Sequence, residues 1–139
     1  MLYALADTGI WYAMFDRRDQ NALHAPAKEE LLELCQVILP WPTLFETLRT
    51  RMARNKLALE GFQRYLKRHN VNYLDDAPYR KAALDLVFES SLEKNRPLSM
   101  VDCLIRLVLD DMNVKVDCLA TFNRRDFEDI CGKRQIEII

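Results

Sequence analysis

The sequence predicts an α/β protein with a central, mostly parallel sheet covered by helices on both faces, three layers in all. Three observations point there. Leu2–Ala6, Gln36–Leu39, Val71–Leu74, Val116–Ala120 and Gln135–Ile139 are short, largely apolar runs. Stretches of helical period separate them, and that alternation is the mark of βαβ units. A strand buried on both faces reads as a continuous apolar run rather than an alternating one. Finally, three glycines and five prolines in 139 residues leave little material for long loops, and no repeat or domain boundary is visible.

Each element has its own signal. Leu2–Ala6 is stopped by Asp7-Thr8-Gly9, and Thr8–Phe15 reads as a helix. "DRRDQNALHAP" reads as a loop, and Pro26 suits the first turn of the helix that carries "AKEELLELC". In "PWPTLFETLRTRMARN" a further helix is predicted to begin after Pro42. From Lys56 to Asn70, Leu57, Leu59, Phe62, Tyr65 and Leu66 recur near helical period, with Lys and Arg on the remaining face. Pro78–Glu93 and Ser99–Met112 are two more expected helices.

The composition narrows the function classes. Half the residues are hydrophobic and 29% are charged, as in an ordinary globular domain. Twenty basic residues against 21 acidic ones give a net charge of −1, which argues against a protein that coats nucleic acid through global charge. Cys35, Cys103, Cys118 and Cys131 form no C-x-x-C pair, and neither histidine has zinc-finger spacing to them. Buried, reduced thiols and a cytoplasmic location are the expectation. "MLYALADTGIWYAMF" is apolar but has no basic leading region, and Asp7 interrupts it, so a core strand and helix are expected instead of a signal peptide. No uncharged stretch is long enough for a membrane-spanning helix.

In parallel sheets of this kind, ligands collect outside the carboxyl ends of the strands. Four acids fall at such places, and each also has a plain structural explanation. Asp7 suits a helix N-cap. Thr43-x-x-Glu46 and Ser99-x-x-Asp102 both match a capping box. Asp126 suits a solvated turn, although Phe122 and Phe127 beside it suggest a turn pinned to the core. As a set the four mean more. Two unit charges ~4 Å apart repel by ~4 kcal/mol at an effective dielectric of ~20, so clustered carboxylates need a cation or raised pKa values. Hard oxygen donors select Mg²⁺ or Mn²⁺, and such an ion can activate water and stabilise a phosphodiester in transit.

The order "ADTGIWYAMF", "PTLFETL", "SMVDCLI", "LATFNRRDF" resembles the PIN domain, and within it the toxin ribonucleases of the VapC type, over essentially all of residues 1–139. The first and last motifs are the more specific. The resemblance implies a compact α/β/α endoribonuclease that cuts RNA with Mg²⁺ or Mn²⁺ held by three or four acids. It implies Asp7, Glu46 and Asp102 as the first three metal ligands. Many members place a fourth Asp where this chain has Asn123, with Asp126 three residues on. Asn123 would then orient a water, or Asp126 would supply the missing charge as a ligand. The resemblance also implies a cognate antitoxin and a homodimer. His24 resembles a loop histidine of many members, but a helix-start role explains it better.

Arg124 and Arg125 have two explanations of equal weight, phosphate contacts or ion pairs with Asp126, Glu128 or Asp129. The basic stretch from Arg49 to Arg68 could wall an RNA groove, while Phe62 and Tyr65 fit core spacing better than base stacking. The alternative to a nuclease is a module of the same fold that binds RNA or a protein without cutting. A phosphate-accepting receiver domain fits poorly, because paired acids after the first strand and a Lys after the last are wanting.

Overall fold

A computed structural model describes residues 1–139. Five strands, β1 (Leu2–Ala6), β2 (Cys35–Pro40), β3 (Val71–Leu74), β4 (Cys118–Ala120) and β5 (Glu137–Ile138), form one sheet in the order β3-β2-β1-β4-β5. Every pairing is parallel, so the expected sheet is present and carries no antiparallel strand. Eight α-helices surround it: α1 (Thr8–Phe15), α2 (Ala25–Glu33), α3 (Trp41–Thr47), α4 (Thr50–Ala53), α5 (Lys56–Leu66), α6 (Arg80–Phe88), α7 (Met100–Asp110) and α8 (Glu128–Arg134). No helix is long and apolar enough to cross a membrane.

Strand side chains alternate between two cores. Ala4, Ala6, Val37, Leu39, Cys118 and Ala120 face Ile10 and Trp11 of α1, Leu32 of α2 and Phe62 and Tyr65 of α5. Leu5, Ile38 and Leu119 face the other way, against α7, α8 and Ala83 of α6. Tilted contacts of Trp11 with Phe62 and Tyr65, at 5.3 and 5.0 Å between centroids, fill the first core. Truncating Phe62, fully buried, would cost about 3–5 kcal/mol. All four cysteines are free and buried.

Several elements differ from their sequence expectation. The helix expected from Pro42 breaks at Leu48 and Arg49. Leu48 closes α3 with a ψ of 43°, and Arg49 is extended at ψ 179° before α4 begins. No Gly or Pro marks that break. Pro78–Glu93 is a composite, a 3₁₀ turn at Ala77–Tyr79, then α6, then a π-turn at Glu89–Glu93. The strand expected at Val116–Ala120 keeps only Cys118–Ala120, and the final one only Glu137–Ile138. Helix α8 was not foreseen; it is seven residues long, has only Ile130 and Cys131 buried, and ends on Gln135 in the left-handed region at φ 56°.

The chain enters at the middle of the sheet, winds outward through β2 and β3, and returns to β4 on the other side of β1. The connections leaving β1 and β4 therefore go to opposite faces, and the carboxyl ends of these two strands flank the switch point where such sheets open a crevice.

Candidate functional site

At this switch point the strand ends are tied together. The backbone N–H of Asp7 donates to the Ala120 carbonyl at 3.0 Å. Asp7 caps α1, its Oδ1 accepting the Thr8 N–H at 2.7 Å, while its Oδ2 accepts the Thr121 hydroxyl at 2.9 Å. Thr121 in turn accepts the Asn123 N–H at 2.9 Å. One threonine thus fixes both the Asp7 carboxylate and the turn after β4.

Glu46 is not part of a capping box. Pro40 precedes the first turn of α3, and the Thr43 hydroxyl donates to the Pro40 carbonyl instead. Glu46 Oε2 accepts the Thr8 hydroxyl at 2.9 Å, which draws it across to the end of β1. At α7, Ser99 is the N-cap, accepting the Asp102 N–H at 3.1 Å. That half of the capping box is present, and it points the first turn of α7 at the same rim.

The acids feel one another as charges. Burial raises the Asp7 pKa; bonds from Thr121 and Thr8 offset part of this, and the Glu46 and Asp126 charges add to it. Burial also raises Glu46, with the Asp102 charge contributing against the bond from Thr8. Asp102 is pushed up to about 6, by burial first and then by the Asp7 charge. Asp126 acts on both Asp7 and Asp102, and Asn123 donates a short hydrogen bond to its Oδ2. The structure therefore brings Asp7, Glu46, Asp102, Asn123 and Asp126 to one rim, from four separate segments of chain. None of the four acids has an ion-pair partner.

The donor set is all hard oxygen and suits Mg²⁺ or Mn²⁺. As they stand, no three His, Cys, Asp or Glu side chains form a group that could hold a metal ion. Side-chain rotations would have to draw the carboxylates inward, and each carboxylate that gave up a proton would gain from a dication.

The "RRD" of the last motif forms a 3₁₀ turn, Arg124–Asp126. Its arginines do not pair with Asp126, Glu128 or Asp129, contrary to one of their two expected roles. Arg124 donates to the Ile138 carbonyl at 3.2 Å, and the Arg125 side chain is exposed without a partner. The turn is clamped from outside. Arg106 of α7 donates to the Asp126 carbonyl at 2.7 Å and to both oxygens of Asp129 at 2.7 and 2.9 Å. Arg96 adds bonds to the Arg125 and Asp126 carbonyls and to Asp129. Phe127, fully buried, anchors the far side.

Sequence reasoning missed the orienting hydroxyls of Thr8 and Thr121 and the clamp made by Arg96, Arg106 and Asp129. Arg106 had a visible signal, a lone guanidinium in an otherwise apolar helix, which needs a partner. Lys28 of α2 was also missed; its ammonium lies 5.3 Å from the Phe122 ring, and burial with the Arg124 charge lowers its pKa. His24 lies exposed at the start of α2 and contributes no bond to the rim. No protein-family model matches the chain, and no curated protein matches it.

Proposed function

We propose that this protein is a Mg²⁺- or Mn²⁺-dependent endoribonuclease. The observation that carries the reading is a rim of four acids, Asp7, Glu46, Asp102 and Asp126, gathered at the switch point with no ion pair among them, Arg49 being the one cation whose charge lowers any of their pKa values. Natural proteins rarely leave carboxylates partly buried and mutually repelling, and perturbed carboxyl groups in such a position mark candidate sites. The resemblance of the four motifs to PIN domains supplies the substrate class. It also supplies the remaining proposals: a cytoplasmic toxin of a toxin–antitoxin pair, held by its antitoxin and acting as a homodimer.

Asp7, Glu46 and Asp102 would hold the metal, with Asp126 at a fourth position. A dication there would supply charge neutralisation for the phosphodiester and a lowered pKa for an attacking water. The chain's own groups do the rest. Thr8 and Thr121 aim the Glu46 and Asp7 carboxylates, and the Ser99 cap fixes the turn of α7 that carries Asp102. The Asn123 amide donates to Asp126 and would orient a water at the rim. Arg125, which has no partner, and Lys28 are cations available for substrate phosphates. Asp102 must shed its proton for full ligand strength, so metal affinity should climb as pH rises through about 6.

The test is cleavage of structured RNA by the pure protein with Mg²⁺, with Mn²⁺ and with EDTA, alongside Asp102→Asn. Metal-dependent cutting by the parent and none by the variant is expected. Cutting that EDTA leaves untouched would sink the proposal. Tight RNA binding with no cutting in any metal would favour the non-catalytic module.

A further inference from the structure

A second feature lies at the other end of α1. The eight residues of α1 span about 12 Å, from Asp7 at the rim to Asp16. Beyond that point an open groove of about 1070 Å³ runs between the end of α1 and the α4–α5 segment. Seven Arg or Lys side chains line it against two acids, Asp16 and Glu29. The groove is thus net +5, which leaves −6 for the rest of a chain whose total is −1. Seven of the 20 basic residues thus give this groove a local excess of positive charge in a chain with almost none overall.

These cations are not used up internally. Arg17, Arg18, Arg54, Lys56 and Arg64 are exposed, and their side chains make no hydrogen bond or ion pair. Two more are held in place. Arg51 bonds to Asp16 and Asp19 and lies 4.6 Å from the Tyr12 ring. Arg68 lies 4.8 Å from the Tyr65 ring and pairs with Glu33 at 3.5 Å. Tyr65 itself is buried in the wall of the groove beneath Arg68.

The lining between the cations is apolar: Met14, Phe15 and Leu57. Leu57 is 75% exposed, and Phe15 is only partly buried. Gly61 makes room for Phe15, since a Cβ there would stand 2.9 Å from the ring. Cations along a groove with an aromatic surface between them suit a single strand, whose phosphates meet the cations and whose bases can lie on the ring.

We infer that this groove binds the sugar-phosphate backbone of single-stranded RNA, independently of the carboxylate rim. An RNA strand seated in it and extended along α1 would reach the carboxylates, so the groove would select the strand while the rim acts on it. The use as a substrate track rests on the nuclease reading; the binding itself does not.

The experiment is fluorescence anisotropy of a labelled short oligouridylate in EDTA across a salt series. The proteins are the parent, the control Lys81→Ala, and the triple variant Arg17→Ala, Arg18→Ala, Arg64→Ala. The parent and Lys81→Ala, which removes an exposed cation on the opposite face of the sheet, should bind with the same affinity and salt slope. The triple variant should bind more weakly, and the slope of log Kobs against log salt should fall by about 2, at ~0.7 for each lost phosphate contact. The double variant Arg54→Ala, Lys56→Ala, with an expected loss of about 1.4, decides the matter if the triple variant folds poorly. An unchanged affinity and slope in the variants, or no oligouridylate binding by the parent, would overturn the inference. So would displacement of the oligonucleotide by an equal charge of polyglutamate, which would make the groove a surface for an acidic protein. If Asp102→Asn cuts RNA as well as the parent while the groove variants lose binding, the rim assignment fails and the groove stands.

Discussion

Asp126 and Asp129 lie three residues apart, and the protein treats them in opposite ways. Asp129 is gripped by two guanidiniums, from Arg96 and Arg106, which hold its carboxyl far below the usual range. Asp126 looks inward to Asp7 and Asp102 and receives only an amide. The contrast extends over the whole molecule. Asp16, Asp76 and Asp110 are paired with Arg51, Arg80 and Arg134, and bonding lowers all three. Asp7, Glu46 and Asp102 have no such partner, and burial raises all three. The chain has 20 basic residues, so pairing was available. Acids that stabilise the fold are paired; those at the switch point are left to repel. This arrangement, which costs stability at one place and avoids the same cost elsewhere, is what the proposal of a ligand at the unpaired acids rests on.

The largest effect should be on activity. If the rim holds the metal, Asp102→Asn should lower metal-dependent RNA cleavage by several orders of magnitude while leaving RNA binding intact. Asp129→Ala should lower it far less than it lowers stability, because Asp129 only clamps the turn. Cleavage rates and anisotropy on the two variants separate the regions, and equal activity losses would erase the distinction.

On stability the order reverses. Asp129→Ala leaves Arg106, mostly buried at 17% exposure, without its carboxylate. Asp129 is itself 49% exposed and Arg106 keeps its bond to the Asp126 carbonyl, so the expected loss is about 1 kcal/mol in denaturant unfolding. Asp102→Asn in EDTA should be as stable as the parent or more so, since Asn removes a repelling charge. A large loss there would mean that Asp102 is a structural acid like Asp129.

Metal should sharpen the same division. Saturating Mg²⁺ at a hundred times Kd should stabilise the parent by ~2.7 kcal/mol. Asp129→Ala should retain that gain from its lower baseline, and Asp102→Asn should lose most of it. Thermal unfolding across a Mg²⁺ and Mn²⁺ titration measures all three.

The smallest effect is in pH. The folded pKa of Asp102, about 6, lies above its ordinary 3.8. Between those values the folded state binds the proton that the unfolded state has released, so stability rises as pH falls from 7 through 6 and levels off below about 4. Solvent access at this half-buried group keeps the gain to ~1 kcal/mol. Asp129, with its lowered pKa, acts the other way: its contribution is present above 3.8 and is lost only in stronger acid. The difference between parent and Asp102→Asn, measured in EDTA from pH 7 to pH 4, isolates the Asp102 term, and a flat difference would contradict it.

Much of this was readable in the chain. Apolar strands, helical periods and Pro26 fix the alternation of elements because burial acts through local pattern. Asp7 after a strand and Ser99 before an apolar helix are local signals too, and both caps formed. The capping box at Thr43 was equally visible and did not form, because α3 starts earlier, with Pro40 at its N-cap and Thr43 inside the first turn, and Glu46 is free to accept from Thr8, 38 positions away. The break at Leu48 and the short helix α8 carry no Gly, Pro or long period, so only packing against the sheet produces them.

By itself the sequence determined the alternation of short apolar strands with helices, the parallel sheet that follows from it, and which acids follow or begin which elements, since these depend on side-chain pattern over a few residues. The tertiary structure decided that β4 returns beside β1, which places Asp7 and Asp126 at one switch point. It also decided that Arg96 and Arg106 go to Asp129 and leave the rim unpaired, and that cations from both sides of the α1–α5 junction share one groove. Those outcomes depend on contacts between distant segments, and charge acts through space rather than along the chain.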